Sequence, residues 1–181
     1  METKKLLVLS DTHGRLPLLK AVLNWANNHT PPNDGICGAV FLGDGLSDLN
    51  AAANATGFFC EWKLVNGNND YSHSLPESSV YDFAGCRILL THGHRHVLYG
   101  GYHTLVNAAK ASDASIALFG HTHVPFHKNI NDITLINPGS VGSPRSRIGS
   151  TFAVISFVFS GSLNVEFFGI DAQGGIKGLK I

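Results

Sequence analysis

The stretch IALFGHTH, residues 116–123, decides the fold. Its first four residues are apolar and uncharged and stop at a glycine, a pattern typical of a buried β-strand. His121 and His123 follow at the point where the chain leaves the strand and turns. Imidazole is a common ligand of divalent metals, so this strand exit is a candidate metal-binding point.

The same arrangement recurs along the chain, because short apolar runs repeatedly end in glycine, aspartate, asparagine or histidine. We predict strands over 6–9, 39–42, 61–65, 80–83, 87–90, 116–119, 124–127, 133–136, 151–159 and 163–168, and helices over 16–27, about 47–55 and 103–111. An ordinary turn accounts for each Asp, Asn or Gly taken alone. It does not account for histidine, a mediocre turn former, at three exits. Ligands of open α/β sheets bind beyond the carboxyl ends of strands, so these groups should meet if the first five strands lie side by side.

The order of the predicted elements indicates a mixed α/β fold. Strands alternate with helices in the first two thirds of the chain, and hairpins dominate the last third. This order predicts two sheets, parallel in the centre and antiparallel at the margins. We expect residues 1–181 to form a single domain, because this length suits one sizeable core. The glycine-rich segment from about residue 171 is expected to be a loose tail.

Composition narrows the classes of function. Hydrophobic residues make up 44% of the chain and charged ones 14%, as in globular proteins. Lys+Arg and Asp+Glu balance at 13 each, so no net basic field attracts a long nucleic acid. The three cysteines form no CxxC pair and are expected to be reduced and mostly buried. No run resembles a signal peptide or a membrane span, which makes the cytoplasm the default expectation.

Six motifs stand at the predicted strand ends. They are D-x-H at 11–13, G-D at 43–44, G-N-x-D at 67–70, H-G-H at 92–94, G-H-T-H at 120–123 and N-P-G-S at 137–140. Together and in this order they resemble the calcineurin-like metallophosphoesterases, in particular their small bacterial and archaeal phosphodiesterase group. The resemblance implies a four-layer α/β/β/α sandwich with a two-metal site, which usually holds Mn²⁺ in this group.

The resemblance also places seven side chains around the two ions. One ion would be held by Asp11, His13 and His123, and the other by Asn68, His92 and His121, with Asp44 bridging both. Independently, mixed carboxylate, amide and imidazole ligands suit Mn²⁺, Fe²⁺, Zn²⁺ or Ni²⁺. Two carboxylates leave four metal charges only half neutralised, so the site would attract a phosphate and lower the pKa of a bridging water. The resulting hydroxide would attack phosphorus in line.

One position departs from the larger relatives, which place a histidine directly after the asparagine. Asn69 occupies that position, so the sequence does not identify the residue that protonates the leaving group. His94 is the candidate for that role and for phosphate contact, since imidazole titrates near neutral pH; the alternative is a turn contact. Asn68 is also predicted to contact substrate. Asp70 would either partner a ligand histidine or cap its own loop.

We therefore expect a metal-dependent phosphoesterase that acts on a small phosphoester, and the preference for a diester rests on the resemblance alone. A protein-binding scaffold like the relative in the retromer coat is the first alternative, and the seven retained ligand residues count against it. A nuclease is the second, and the zero net charge counts against it.

The identity of the substrate, the native metal and the formation of a homo-oligomer are not readable from the sequence. The leaving-group pocket is assigned to the loops at 71–79 and 95–102. Three aromatic residues, Trp62, Tyr99 and Tyr102, would either stack on a substrate ring or pack against the core.

Overall fold

The computed structural model describes residues 3–29, 35–71, 74–97, 101–158 and 162–181. Its elements are β1 (Thr3–Leu9), α1 (Leu16–Asn27), β2 (Ile36–Phe41), α2 (Leu46–Thr56), β3 (Trp62–Leu64), β4 (Ser78–Phe83), β5 (Cys86–Thr91), α3 (His103–Ala111), β6 (Ile116–Phe119), β7 (Pro125–Ile130), β8 (Ile133–Pro138), β9 (Ser150–Val158), β10 (Leu163–Ile170) and β11 (Ile176–Leu179). The predicted bounds of α1, α3 and β6 are confirmed to the residue. The turn expected at 160–162 falls mostly outside the described residues.

The strands form two sheets, with the orders β11-β10-β9-β1-β2-β3 and β4-β5-β6-β8-β7. In the second sheet the inner pairs β5–β6 and β6–β8 are parallel and the outer pairs are antiparallel, as predicted. In the first sheet the parallel pairs β1–β2 and β2–β3 occupy one edge, so the expectation of antiparallel margins is wrong there. The C-terminal hairpin strands all add on the other side of β1, which leaves β3 as a parallel edge strand.

Three apolar clusters separate four layers. Helices α1 and α2 pack on the outer face of the first sheet, for instance through Leu19 and Leu49. Side chains such as Val8 and Leu118 fill the space between the two sheets. Helix α3 covers the outer face of the second sheet through Leu105 and its neighbours. The α/β/β/α sandwich is therefore confirmed, and it explains why the central strands are apolar on both faces.

The helices follow from apolar spacing and from their ends. In α1 the buried side chains recur three and four residues apart, and Pro17 lies in the first turn, where its missing N–H costs nothing. Helix α2, predicted over about 47–55, begins at Leu46 with Gly45 as its N-cap and ends at Thr56, followed by Gly57 with a φ of 66°. None of the helices in the described ranges is long and apolar enough to cross a lipid bilayer.

The exits of the parallel strands meet because the two sheets pack face to face. The condition that the first five strands lie side by side is not met, since β1, β2 and β3 belong to one sheet and β4 and β5 to the other. A hydrogen bond from His92 Nδ1 to the Leu42 carbonyl, 2.7 Å long, joins the two sheets at this end. The strand exits therefore meet because the two sheets pack face to face, and not because the strands are neighbours in one sheet.

The C-terminal segment is ordered. Strand β11 pairs antiparallel with β10 from Phe167 opposite Leu179 to Ile170 opposite Ile176, so the expectation of a loose tail from residue 171 is wrong. The turn before it is fixed by Asp171, whose Oδ1 accepts the N–H groups of Gln173 at 2.9 Å and Gly175 at 2.7 Å. Of the glycines that suggested a loose tail, Gly174 and Gly175 form this turn and Gly178 lies in β11.

Candidate metal centre

The loops that follow the strands hold the predicted ligands in an unusual backbone conformation. Five of the seven have positive φ: Asp11 at 57°, His13 at 44°, Asp44 at 59°, His121 at 64° and His123 at 59°. This left-handed region is disfavoured for residues other than glycine. Such turns bring side chains from the ends of different strands towards one point above the sandwich.

The structure brings Asp11, His13 and His123 together as one candidate group, with ligand atoms within 4.8 Å of one another. Asp11 Oδ1 lies 3.0 Å from His123 Nε2 and 3.7 Å from His13 Nε2. Asp11 and His123 are buried, whereas His13 lies at the rim with 28% of its side chain exposed. The group therefore has a buried floor and one face open to solvent.

Asp11, Asp44 and His92 form a second candidate group that overlaps the first. Asp44 Oδ2 lies 3.5 Å from His92 Nε2 and 3.6 Å from His13 Nε2. One carboxylate oxygen is therefore about equally far from a ring nitrogen of each group. The amide oxygen of Asn68 lies 3.0 Å from His92 Nε2. This is the arrangement expected if the Asp44 carboxylate is shared.

The nitrogen atoms that face the carboxylates carry lone pairs when the rings are neutral. His92 Nδ1 donates to the Leu42 carbonyl at 2.7 Å, and His123 Nδ1 donates to the Ser143 carbonyl at 2.5 Å. In each neutral ring Nε2 is then an acceptor, yet it faces oxygen atoms. Among the described residues, Asp11 Oδ1 is a buried oxygen that receives no hydrogen bond. These contacts are attractive only with protons or a cation between them, so the residues fit divalent metal ions.

Both carboxylates are held in the ionised form that a metal ligand requires. Burial opposes ionisation of Asp11, but the neighbouring His123, His13 and His92 rings outweigh it and lower its pKa to about 2. Burial likewise opposes ionisation of Asp44, but the neighbouring His92 ring and the hydrogen bonds from Asn69 lower its pKa well below the ordinary value. Metal binding at neutral pH would therefore displace no proton from either carboxylate.

His121 and His94 lie beside these groups. The backbone N–H of His121 donates to Asp11 Oδ2 at 3.1 Å, and its ring centroid lies 5.2 Å from that of His92. The His94 ring lies 5.6 Å from His92 and 6.2 Å from His121. In the described part of the chain, His94 Nδ1 is buried without a hydrogen-bond partner. Burial, followed by the nearby His92, lowers the pKa of both His94 and His121.

Residues outside the predicted ligand set hold this arrangement. Asn69 donates to Asp44 twice, from its backbone N–H to Oδ1 at 2.8 Å and from its side chain to Oδ2 at 2.6 Å. Ser140 Oγ, from the N-P-G-S motif, donates to the Asp11 carbonyl at 2.7 Å. Asp70 caps its own loop by accepting backbone N–H groups, which decides between the two alternatives for it.

Asp48, which was not among the predicted site residues, bonds to the loop around His13. The sequence feature that pointed to it was its position, four residues after Asp44 and in the first turn of α2.

Two of the three aromatic candidates are packing residues. Trp62 contacts Phe58 edge to face at 5.8 Å between ring centroids, and Tyr102 stacks on Phe126 at 4.7 Å. Tyr99 lies outside the described residues, as do parts of both loops assigned to the leaving-group pocket. Tyr71, beside the loop that carries Asn68, is 94% exposed.

Comparison with known proteins gives consistent matches. The sequence profile of the calcineurin-like phosphoesterase superfamily domain matches residues 5–158. A probable metallophosphoesterase of Mycoplasma pneumoniae is 32% identical over 145 residues, which cover 78% of this chain and 82% of that protein. A phosphodiesterase of Methanocaldococcus jannaschii is 24% identical over 143 residues, covering 75% of this chain and 82% of that protein.

Solved structures agree with the fold. A predicted phosphoesterase from Streptococcus pneumoniae superimposes with a TM-score of 0.76 at 25% identity and covers 99% of this chain and 98% of its own. Vps29 from Entamoeba histolytica, solved in complex with Zn²⁺, has a TM-score of 0.74 at 21% identity and 98% coverage of both chains.

Proposed function

The chain belongs to the calcineurin-like phosphoesterase superfamily, and we propose that it hydrolyses a small phosphodiester at a centre of two divalent metal ions, with Mn²⁺ as the first choice. The observation that carries the proposal is the position of Asp44 Oδ2, 3.5 Å from His92 Nε2 and 3.6 Å from His13 Nε2. A carboxylate oxygen between two imidazole acceptors suits an ion on either side. Relatives named phosphodiesterase support the choice of a diester.

In this proposal some residues hold the ions and others bind the substrate. Asp11, His13 and His123 would hold one ion, and Asn68, His92 and His121 the other, with Asp44 shared. When bound, such a pair supplies a hydroxide for in-line attack on phosphorus and positive charge for the phosphoryl oxygens. The buried floor formed by Asp11 and His123 keeps the ligands oriented, and the exposed side of His13 admits the substrate.

His94 is proposed to contact the phosphoryl group or to protonate the leaving oxygen, and Asn68 to contact substrate beside its metal. The His94 ring lies beside His92 and His121, so it borders the residues proposed to hold the second ion but is not one of its proposed ligands. The lowered pKa makes His94 a stronger acid but leaves little of it protonated above neutral pH. Asn69 is occupied with Asp44 and has no proton to give in this role.

Hydrolysis of bis(p-nitrophenyl) phosphate by the metal-free chain, with and without added Mn²⁺, tests the proposal. We expect activity that depends on Mn²⁺ and disappears with EDTA. Asp44→Asn and His92→Ala should each lower kcat/KM at least about a hundredfold, because each removes a ligand. Asp171→Asn alters a carboxylate that bonds to Gln173 and Gly175 in the β10–β11 turn, and it should leave activity unchanged. Full activity in excess EDTA would contradict the proposal.

A protein-binding scaffold is the second candidate, and the likeness of the fold to Vps29 favours it. It predicts a folded chain that binds a protein partner equally well with and without metal. Loss of hydrolysis together with unchanged partner binding in Asp44→Asn would show that the two functions coexist.

A further inference from the structure

Asp48 holds the loop that carries His13. It lies in the first turn of α2, and its Oδ2 accepts hydrogen bonds from Thr12 Oγ1 at 2.5 Å and from the Gly14 N–H at 2.8 Å. These two donors are the immediate neighbours of His13 in the chain. One carboxylate oxygen therefore fixes the backbone on both sides of a predicted metal ligand.

Asp70 holds the loops that carry Asp44 and Asn68. Its Oδ2 accepts the N–H groups of Asp44 at 2.6 Å and Gly67 at 3.0 Å. Its Oδ1 accepts the N–H groups of Gly45 at 2.9 Å and Leu46 at 3.0 Å. Four backbone donors from the exits of β2 and β3 thus meet on one side chain.

Helix α2 connects the two carboxylates. Its N-cap, Gly45, has no side chain to satisfy the free N–H groups at the start of the helix, and Asp70 accepts two of them from outside. Asp48 belongs to the same first turn, where a negative charge is favoured by the helix dipole. The start of α2 is therefore a rigid base to which the exit loops of β1, β2 and β3 are tied.

We infer that Asp48 and Asp70 are positioning residues, each for a different half of the metal centre. Asp48 positions the group of Asp11, His13 and His123, and Asp70 positions the group of Asp44, Asn68 and His92. The inference rests on the proposed function, because it assumes that the two groups bind ions.

The atoms that accept the bonds predict different effects for the same substitution. Both bonds to Asp48 end on one oxygen, so Asp48→Asn can keep both through its amide oxygen. The bonds to Asp70 end on both oxygens, so Asp70→Asn turns an NH₂ group towards two N–H donors. The amide substitution should therefore be mild at position 48 and severe at position 70.

Calorimetric titration of the metal-free full chain with Mn²⁺ tests the two roles. His13→Ala and Asn68→Ala identify which binding event belongs to which group. We expect Asp70→Asn to weaken the Asn68 event most and, because Asp44 is the shared ligand, the His13 event to a smaller extent. Asp48→Ala should weaken the His13 event. Each main loss should be about 10- to 100-fold, which is the usual effect of losing a group that orients a metal ligand. Asp48→Asn should stay within about threefold of the wild type on both events, since it keeps those bonds.

Asp171→Asn is the matched control, because Asp171 also accepts backbone N–H groups, but those of Gln173 and Gly175 in the β10–β11 turn. It should leave both binding events unchanged. If the wild type binds two ions and Asp48→Ala and Asp70→Asn bind both with wild-type affinity, the positioning roles alone are overturned. The same holds if either variant loses affinity equally at both binding events. A wild-type chain that binds no Mn²⁺ overturns the proposed function together with them.

Amide hydrogen exchange of the metal-free chain gives a second readout that needs neither activity nor metal. Asp70→Asn should speed exchange at Asp44, Gly45, Leu46 and Gly67, while Asp48→Ala should speed it at Gly14. Unchanged exchange at these amides overturns the inference. Uniform acceleration over the whole chain, which indicates general destabilisation, overturns it as well.

Discussion

At the scale of single residues, Gly67 shows how closely the exit loops of β2 and β3 approach each other. A Cβ at this position would overlap Asp44 Oδ1 and the Asp44 backbone nitrogen. Gly67→Ala should therefore displace Asp44, lower the free energy of unfolding by about 1–3 kcal/mol and weaken Mn²⁺ binding. Urea denaturation and calorimetric titration measure the two effects.

Gly57→Ala is the control for Gly67→Ala. Gly57 has a φ of 66° at the end of α2, and a Cβ there would meet nothing within 4 Å. It should cost about 1 kcal/mol of stability through backbone strain alone and leave Mn²⁺ affinity intact. Equal Mn²⁺ affinity of the two variants would contradict the tight approach at Gly67.

His94 can be assigned to one of its two proposed roles by varying the leaving group. A proton donor matters most for a poor leaving group, so His94→Ala should slow hydrolysis of an alkyl phosphodiester about 100-fold and that of a p-nitrophenyl diester far less. Equal losses on both substrates would indicate contact with the phosphoryl group instead. Mn²⁺ affinity, measured in parallel, should not change in either case.

The thiols should differ in reactivity. Burial, with contributions from Cys37 and Glu61 nearby, raises the pKa of Cys60 to about 12. Because the thiolate is the reactive form, Cys60 should be alkylated by iodoacetamide at pH 8 much more slowly than Cys37, which is exposed, contrary to the expectation of buried cysteines. Mass spectrometry of labelled peptides measures both rates, and equal labelling of the folded chain would contradict this prediction.

The raised pKa of Cys60 also has a consequence for stability. A group whose pKa is higher in the folded chain favours folding below its unfolded pKa of about 8.5 and loses that contribution as pH rises towards 12. The loss of stability above pH 9 should therefore be shallower in Cys60→Ser than in the wild type.

At the scale of elements, β11 protects the edge of the first sheet. Removing residues 176–181 would free the hydrogen-bonding edge of β10 and should lower the thermal midpoint and promote aggregation. Mn²⁺ affinity should persist, because β11 is separated from β1 by β10 and β9. Removing only Ile181, which is 59% exposed, is the control. An unchanged thermal midpoint in the shorter chain would contradict a structural role for β11.

Local patterns and long-range contacts account for what the sequence could and could not predict. The bounds of α1, α3 and β6 follow from the spacing of apolar residues and were predicted to the residue. Sheet membership was not, because it depends on which faces pack together. The residues of the candidate centre stand at predicted strand ends, and their assignment as ligands came from the resemblance of the six motifs to a known family. Asp48 was missed because its bond to Thr12 spans 36 positions, and its place in the first turn of α2 does not by itself indicate that contact.

At the scale of the whole molecule, the proposed ions would join the two sheets. Asp11 and Asp44 follow strands of the first sheet, while His92 and His123 follow strands of the second. An ion that binds only the folded chain stabilises it by about 2.7 kcal/mol at a concentration of 100 Kd. Mn²⁺ should therefore raise the thermal midpoint, and EDTA should reverse the rise.

Asp44→Asn should show a much smaller rise in thermal midpoint than the wild type under the same conditions, whereas Asp171→Asn should show the full rise. A midpoint that is insensitive to Mn²⁺ in the wild type would contradict ion binding between the sheets.

The left-handed turns at the candidate centre have a consequence for how such a chain would diverge. Five side chains occupy a conformation that glycine adopts with less strain, so their retention is favoured only while they have a task. A lineage released from catalysis would gain stability by replacing these residues with glycine first, before its buried strands changed. Loss of activity in descendants would then be visible as a local rise in glycine around an otherwise preserved sandwich.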